Sequence, residues 1–173
     1  MRLDFFYFKL LYLCTIVLVV LTECRSFDLR STAKTIYKKI LSRRSLPFED
    51  CGSTYDVLYV NISSCSSIPC QMARNSTVTV NVIFDDNGDN ISLLIHCVRW
   101  IFNAIKTKAV ITPDLCDDNQ HCLIDETDGK SYDAQVYVNN TLPNIRGTMM
   151  WEAVNQNNVE VICFKIPIII IDL

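Results

Sequence analysis

Apolar and polar residues alternate with a period of two along much of this chain, and this alternation limits its fold more than any other feature. Within Thr77–Phe84, three valines and Phe84 fall on one face and the polar residues fall on the other. That pattern is typical of a half-buried β-strand. Further runs of this kind are Tyr55–Ile62, Ile91–Phe102, Tyr132–Val138, Ile145–Val154 and Asn158–Ile171. Because turn-forming clusters separate the runs, without intervening helical patterns, the sequence predicts an all-β fold, an antiparallel β-sandwich.

Two segments of the predicted sandwich can be interpreted in more than one way. Leu93–Val110 fits a long strand or a short helix equally well. Asp85–Asn90 has the composition of a calcium-binding loop, but the glycine that such a loop requires would fall at Asn90 and its closing glutamate at Cys97. We therefore expect a hairpin turn at Asp85–Asn90 and no cation site.

Residues 1–24 have the plan of a secretory signal peptide. Arg2 and Lys9 precede the apolar run Leu10–Leu21, and small residues precede a plausible cleavage point after Cys24. The run is shorter than the roughly 20 residues that a membrane-spanning helix needs. We therefore expect a secreted protein, either extracellular or in the lysosomal lumen.

Charge divides the remaining chain into two parts. Residues 25–47 carry seven basic side chains against Asp28, a net of +6, whereas residues 48–173 carry seven against sixteen acidic ones, a net of −9. Such an acidic body disfavours nucleic acid as a partner. We interpret 25–47 as a basic linker or a pro-segment, cleavable at Arg43-Arg44, and the alternative is a membrane-surface helix. The helix alternative rests on the apolar residues of 25–47, which recur at helical spacing at Leu29, Ala33, Ile36 and Ile40.

Cysteines and sequons agree with the secretory pathway. Of nine cysteines, seven remain after residues 1–24, so six can pair and fifteen connectivities are open. We expect Cys97 to stay unpaired and buried. Four Asn-x-Ser/Thr sequons predict N-glycosylation, at Asn61, Asn75, Asn90 and Asn139.

The chain offers little for catalysis or for metal binding. It has only two histidines, and His96 and Cys97 are adjacent, so on a strand they point to opposite faces. Cys116, His121 and Cys122 fit a cysteine-closed loop better than a metal site in a secreted protein. No nucleophile-elbow, zinc-protease or phosphate-loop motif is present. We therefore expect no enzyme, no metal and no cofactor.

Several stretches match a known pattern in order and spacing. They are Phe48-Glu-Asp-Cys-Gly-Ser, Val60-Asn-Ile-Ser-Ser-Cys-Ser-Ser-Ile-Pro-Cys, Pro113-Asp-Leu-Cys with a second Cys six positions on, Trp151, and Cys163-Phe-Lys-Ile-Pro. Over residues 48–173 the chain resembles the ML (MD-2-related lipid-recognition) family. The resemblance implies an immunoglobulin-like sandwich of two antiparallel sheets with a lipid cavity between them. It also implies the disulfides Cys51–Cys163, Cys65–Cys70 and Cys116–Cys122, with Cys97 left over.

The resemblance also implies a set of lipid-contacting residues. These are Val138, Leu142, Pro143, Ile145 and Trp151, each of which on composition alone would pass for ordinary sandwich core. The chain departs from the family pattern just before Pro113, where Ile105–Thr112 lacks the proline-rich loop and has Lys108 near the expected aromatic residue. We therefore expect a cavity mouth that differs from that of the family's sterol carriers.

These observations lead to two functional hypotheses. The first is a non-enzymatic carrier, monomeric, that binds a sterol or another hydrophobic ligand between its sheets and contacts membranes transiently through Lys106 and Lys108. The alternative is an accessory protein that presents a lipid to a receptor in innate immune or chemosensory signalling.

Overall fold

The computed structural model describes Tyr12, Thr15 and residues 31–117, 122–126 and 129–172. Contacts divide the chain into two units, Met1–Ile40 and Leu41–Leu173. Residues 31–44 are α-helical, and no helix among the described residues is long and apolar enough to cross a membrane. The expected signal peptide, apart from Tyr12 and Thr15, and residues 25–30 of the basic segment lie outside the described residues.

The second unit is built from strands that form two sheets. One sheet pairs its strands in the order β1-β12-β11-β5-β6, with β3 added to β12 and β8 to β5, and the other in the order β2-β4-β10-β7, with β9 added to β10. Every pairing is antiparallel except that of β3 with β12. The predicted immunoglobulin-like β-sandwich is confirmed. The strands described are β1 (Glu49–Asp50), β2 (Asp56–Ile62), β3 (Cys70–Ala73), β4 (Ser76–Asp85), β5 (Leu93–Phe102), β6 (Ile105–Lys108), β7 (Val110–Thr112), β8 (Leu115–Asp117), β9 (Leu123–Glu126), β10 (Gly129–Val138), β11 (Arg146–Asn155) and β12 (Glu160–Ile171).

The alternation found in the sequence orients the side chains of each sheet. On β4 the three valines and Phe84 are at most 2% exposed, while Thr77 and Thr79 face solvent. β10 follows the same rule and pairs with β4 over nine residues, from Lys130 opposite Phe84 to Val138 opposite Ser76. Since each strand buries alternate residues, the two sheets pack through their apolar faces.

The strand topology shows the structure of the two segments Leu93–Val110 and Asp85–Asn90. Leu93–Val110 contains no helix: β5 ends at Phe102, turns at Asn103, whose φ is 52°, and returns as β6. Asp85–Asn90 is not a hairpin turn, because β4 belongs to the five-stranded sheet and β5 to the seven-stranded sheet. It is a connection between sheets, so the hairpin prediction was wrong.

Three disulfides connect distant and neighbouring parts of the sandwich. Cys51–Cys163 joins the start of the body to β12 across 112 residues of sequence, with 5.1 Å between the Cα atoms. Cys65–Cys70 and Cys116–Cys122 close short loops. These are the pairs that the resemblance implies. Cys97 is free but half-buried, since it lies on the outer face of β5, and the expectation of a buried thiol was wrong.

The body begins to pack before Phe48. The Leu46 amide donates to the Val60 carbonyl at 2.8 Å, and the Val60 amide donates to Ser45 Oγ at 3.0 Å. Leu46 is also buried in the core. These contacts join the residues that precede β1 to the edge strand β2.

Candidate functional site

The space between the two sheets is lined almost wholly by hydrocarbon. Both sheets turn many apolar side chains inward that are at most 2% exposed, and His96 and Tyr132 are buried among them. Any molecule held between the sheets would therefore lie mostly against apolar surface. The apolar side chains include Val60, Ile62, Val78, Val80, Val82, Phe84, Ala134, Val136 and Val138 on the five-stranded sheet, and Leu94, Val98, Trp100, Met149, Trp151, Ala153, Ile162, Phe164, Ile166, Ile168 and Ile170 on the seven-stranded sheet.

Aromatic rings connect the two sheets on the side nearer the β4–β5 connection. Trp151 stacks on Phe164 with 5.9 Å between ring centroids, and it lies 5.8 Å from Tyr132 of the opposite sheet. Tyr132 in turn contacts Phe84 at 6.1 Å, and His96 at 4.5 Å. Ring pairs at these separations are mutually attractive. We call Phe84, His96, Tyr132, Trp151 and Phe164 the aromatic cluster.

His96 is the one ionisable imidazole in the described part of the chain, and it lies inside the aromatic cluster. The indole Nε1 of Trp151 donates to His96 Nδ1 at 3.3 Å. Burial lowers the pKa of His96 to about 4, although the negative charge of Asp114 acts in the opposite direction. His96 is therefore neutral at ordinary pH. Cys97 points to the other face of β5, as expected, so the two do not form a catalytic pair.

The structure brings three of the five proposed lipid contacts into the interior. Val138, at the end of β10, and Trp151, in the middle of β11, are 0% exposed and come from opposite sheets. Leu142, in the β10–β11 connection, is 4% exposed. Pro143 and Ile145 lie on the same connection and are exposed. As ligand contacts, these two would act at the rim and not in the interior.

Hydrogen bonds hold the β10–β11 connection in place. Arg74 donates from Nη1 to the Leu142 carbonyl at 3.3 Å and forms an ion pair with Asp172. Asn144 Nδ2 donates to the same carboxylate at 3.2 Å. The hydrogen bond from Arg74 is the main cause of the lowered pKa of Asp172. The loop that carries Leu142 is thus fixed to the end of β12.

Apolar and basic side chains are exposed together at this end of the sandwich. Ile105 is 67% exposed and Val110 61%, and Lys106 and Lys108 beside them are exposed too. The register places them at one end, since Ile105 pairs with Phe102 and Val110 with Tyr137, next to the last residue of β10. We call Ile105, Lys106, Lys108, Val110 and Ile145 the basic rim.

The sequon asparagines are all accessible to some degree. Asn75 and Asn90 are exposed in connections, and Asn61 and Asn139 are partly exposed. Asn139 Oδ1 accepts from the Thr141 amide at 2.9 Å. Their glycosylation stays a prediction.

Among the described residues there is no candidate metal-binding site. No group of three His, Cys, Asp or Glu side chains there is placed to hold a metal ion. Cys116 and Cys122 are bonded to each other, and His121 lies outside the described residues.

Sequence reasoning missed the most specific feature of the interior, the contact of His96 with Tyr132 and Trp151. The available signal was the position of His96 on the same face of its run as Leu94, Val98 and Trp100. That face is buried, so the histidine had to be buried as well.

Comparisons with known proteins agree with this architecture. The family model described as ML domain matches residues 45–170. The chain is 30% identical over 127 residues to the NPC intracellular cholesterol transporter 2 of Mus musculus, covering 71% of this chain and 83% of that protein. It is 32% identical over 123 residues to the Bos taurus protein of the same name, covering 70% and 82%.

A solved structure resembles the fold. It is a Niemann-Pick type C2 protein from the Japanese carpenter ant, which matches with a TM-score of 0.61 at 22% identity, covering 73% of this chain and all of that one. At this level of identity the match supports the fold alone. The family model covers most of the body, residues 45–170. The chain therefore belongs to the ML-domain family.

Proposed function

We propose that this protein is a non-enzymatic carrier that binds a sterol or another hydrophobic ligand between its two sheets. The observation that carries the proposal is the predominantly apolar lining of both inner faces, in a chain of the ML-domain family. The mouse and cattle relatives are named cholesterol transporters. Burying roughly 300 Å² of ligand surface at about 25 cal/mol per Å² supplies about 7.5 kcal/mol before ordering costs. That is ample for reversible carriage.

The ligand enters at the end that carries the basic rim. The aromatic cluster joins the sheets on the opposite side, so separating them there would break several ring contacts. At the rim end, the four residues of β6 are all exposed and bury no side chain against the other sheet. The chain then crosses from one sheet to the other at Ala109, whose amide donates to the Val98 carbonyl at 2.8 Å. Entry here disturbs the fewest interior contacts.

The same end is suited to brief contact with a membrane. Lysines attract anionic lipid headgroups, while exposed Ile105 and Val110 can enter the headgroup region. The opposite end carries the acidic side chains Asp86, Asp89 and Asp125 and would be repelled. This charge asymmetry would point the mouth toward the bilayer during transfer.

The protein acts, in this proposal, as a glycosylated monomer in the extracellular space or the lysosomal lumen. The three disulfides and four accessible sequons support an oxidising, glycosylating route. Ligand extraction and delivery require only binding and release, so the buried neutral His96 has no catalytic task.

A variant that fills the interior tests the pocket. Val138→Phe adds a ring at a fully buried position of β10, and overpacking of this kind costs about 1–3 kcal/mol, which a typical domain tolerates. The folded variant is expected to lose binding of a fluorescent sterol at least roughly tenfold, as 1.4 kcal/mol of lost contact would give. Val159→Phe, in the exposed β11–β12 turn, is the matched control and should bind normally. A folded Val138→Phe protein with unchanged affinity would refute the pocket assignment.

The receptor-presentation alternative predicts a different result for sterol transfer between vesicles. A carrier moves sterol between vesicles in the absence of other proteins, whereas a presenting protein forms a stable complex with a receptor ectodomain. Measuring the sterol transfer rate between donor and acceptor vesicles separates the two: transfer by the purified protein alone supports the carrier.

A further inference from the structure

Two polar atoms in the aromatic cluster are buried and have no hydrogen-bond partner among the described residues. They are Nε2 of His96 and the hydroxyl oxygen of Tyr132. His96 is 2% exposed and Tyr132 0%. Buried polar groups are nearly always hydrogen-bonded, so each such exception needs a physical reason.

The two atoms belong to side chains of opposite sheets whose rings are in contact. His96 lies on β5 of the seven-stranded sheet, and Tyr132 lies on β10 of the five-stranded sheet. Their ring centroids are 4.5 Å apart with the planes tilted by 40°. Since the two rings are in contact, a single small polar group beside them is a candidate partner for both atoms.

The hydrogen bond from Trp151 sets the proton on the histidine. Because His96 Nδ1 accepts the indole N–H at 3.3 Å, the neutral ring carries its own proton on Nε2. His96 thus offers a donor, and the Tyr132 hydroxyl offers a donor and an acceptor. That pair matches a hydroxyl oxygen, which accepts from one and donates to the other, or a carbonyl oxygen, which accepts from both.

We propose that His96 Nε2 and the Tyr132 hydroxyl form a polar subsite for an oxygen at the inner end of the bound ligand. The ligand class is then an apolar molecule with a hydroxyl or carbonyl group at the end that enters first, and not a pure hydrocarbon. This inference rests on the proposed function, because it places the ligand between the sheets. It adds the requirement that the ligand be polar at its buried end.

Three sterols that differ only in their hydroxyl groups test the subsite. Cholest-5-ene has none, cholesterol has one on the ring system, and 25-hydroxycholesterol has a second at the end of its side chain. Wild-type protein is expected to bind at least one hydroxylated sterol about tenfold more tightly than cholest-5-ene, as one well-placed buried hydrogen bond would give. Tyr132→Phe removes only the hydroxyl and should reduce that preference to about threefold or less.

Two further variants control for structural effects. Tyr137→Phe makes the same chemical change on the outer face of β10, where the hydroxyl donates to Asn75 Oδ1 at 2.7 Å, and it should leave the sterol preference unchanged. His96→Gln tests the second half of the subsite and keeps an acceptor for Trp151. It too should reduce the preference for the hydroxylated sterol to about threefold or less.

The outcomes separate the subsite from the carrier function. If wild-type protein binds all three sterols equally, or if neither Tyr132→Phe nor His96→Gln changes the preference, the subsite is refuted and the carrier function stands. Such a result would mean that internal water alone satisfies the two atoms. If wild-type protein binds none of the sterols, both proposals fail for this ligand class.

Discussion

Replacing His96 by glutamine is expected to remove a large part of the protein's sensitivity to mild acid. His96 is almost fully buried, and burial lowers its pKa from 6.5 to about 4. In the unfolded chain the imidazole returns to water and to its ordinary pKa. Folding therefore opposes protonation of His96, and protonation opposes folding.

The sign and size of the effect follow from these two values. Between pH 6.5 and 4 the unfolded chain binds a proton at His96 and the folded chain does not, so the free energy of unfolding falls as the pH falls. At 1.36 kcal/mol per pH unit, lowering the pH from 7 to 4.5 costs about 2 kcal/mol of stability. Carboxylates whose pKa is lowered by hydrogen bonds, Asp125 and Asp172, lose their contribution only at lower pH and do so in both proteins.

The assay is urea unfolding at pH 7.0, 5.5 and 4.5 with disulfides intact. Both proteins carry His121→Gln, so that His96 is the one histidine that differs. The protein with His96 should lose about 2 kcal/mol more stability than His96→Gln between the highest and lowest pH. Parallel losses in the two proteins would refute the argument, because they would show that His96 is not held neutral by burial.

The disulfides and the basic rim provide the remaining predictions. Replacing both cysteines of Cys51–Cys163 by alanine should lower the free energy of unfolding by about 5 kcal/mol, because this bridge closes a loop of 112 residues. The same change at Cys65–Cys70 should lower it by only about 2 kcal/mol, because that loop has 5 residues and the entropy gained by the unfolded chain is smaller. Equal losses in urea unfolding would contradict that account. Reversing the charge of Lys106 and Lys108 together should reduce binding to phosphatidylserine vesicles by about tenfold or more, since each lysine near an anionic surface contributes about 1 kcal/mol. Lys130→Glu, in the opposite, acidic part of the sandwich, is the control. If vesicle binding, measured by sedimentation, weakens equally in both variants, the proposal that the basic rim faces the membrane is refuted.

Local pattern was enough for the strands but not for their partners. The run Thr77–Phe84 predicted β4 and its buried face, because a period of two is a property of the strand itself. Asp85–Asn90 was wrongly predicted to be a hairpin turn, since the same turn residues suit a hairpin or a connection between sheets. Which sheet receives the next strand depends on contacts far away in sequence.

In the candidate site, too, some features could be predicted from the sequence and others could not. Of the five lipid contacts that the resemblance implied, Val138, Leu142 and Trp151 are buried, whereas Pro143 and Ile145 are exposed. Their role in binding stays a prediction. Cys97 was expected to be buried, yet its neighbour His96 occupies the buried face, so the thiol must lie on the half-covered outer side of β5.

The sequence by itself determined the class of the fold and the presence of an apolar interior, since both follow from the order of residues along short stretches. Only the tertiary structure decided that His96 meets Tyr132 and Trp151. His96 and Tyr132 lie on different sheets, 36 positions apart in the chain. Sheet packing brings their ring centroids within 4.5 Å, and the same packing leaves His96 Nε2 and the Tyr132 hydroxyl without a hydrogen-bond partner among the described residues.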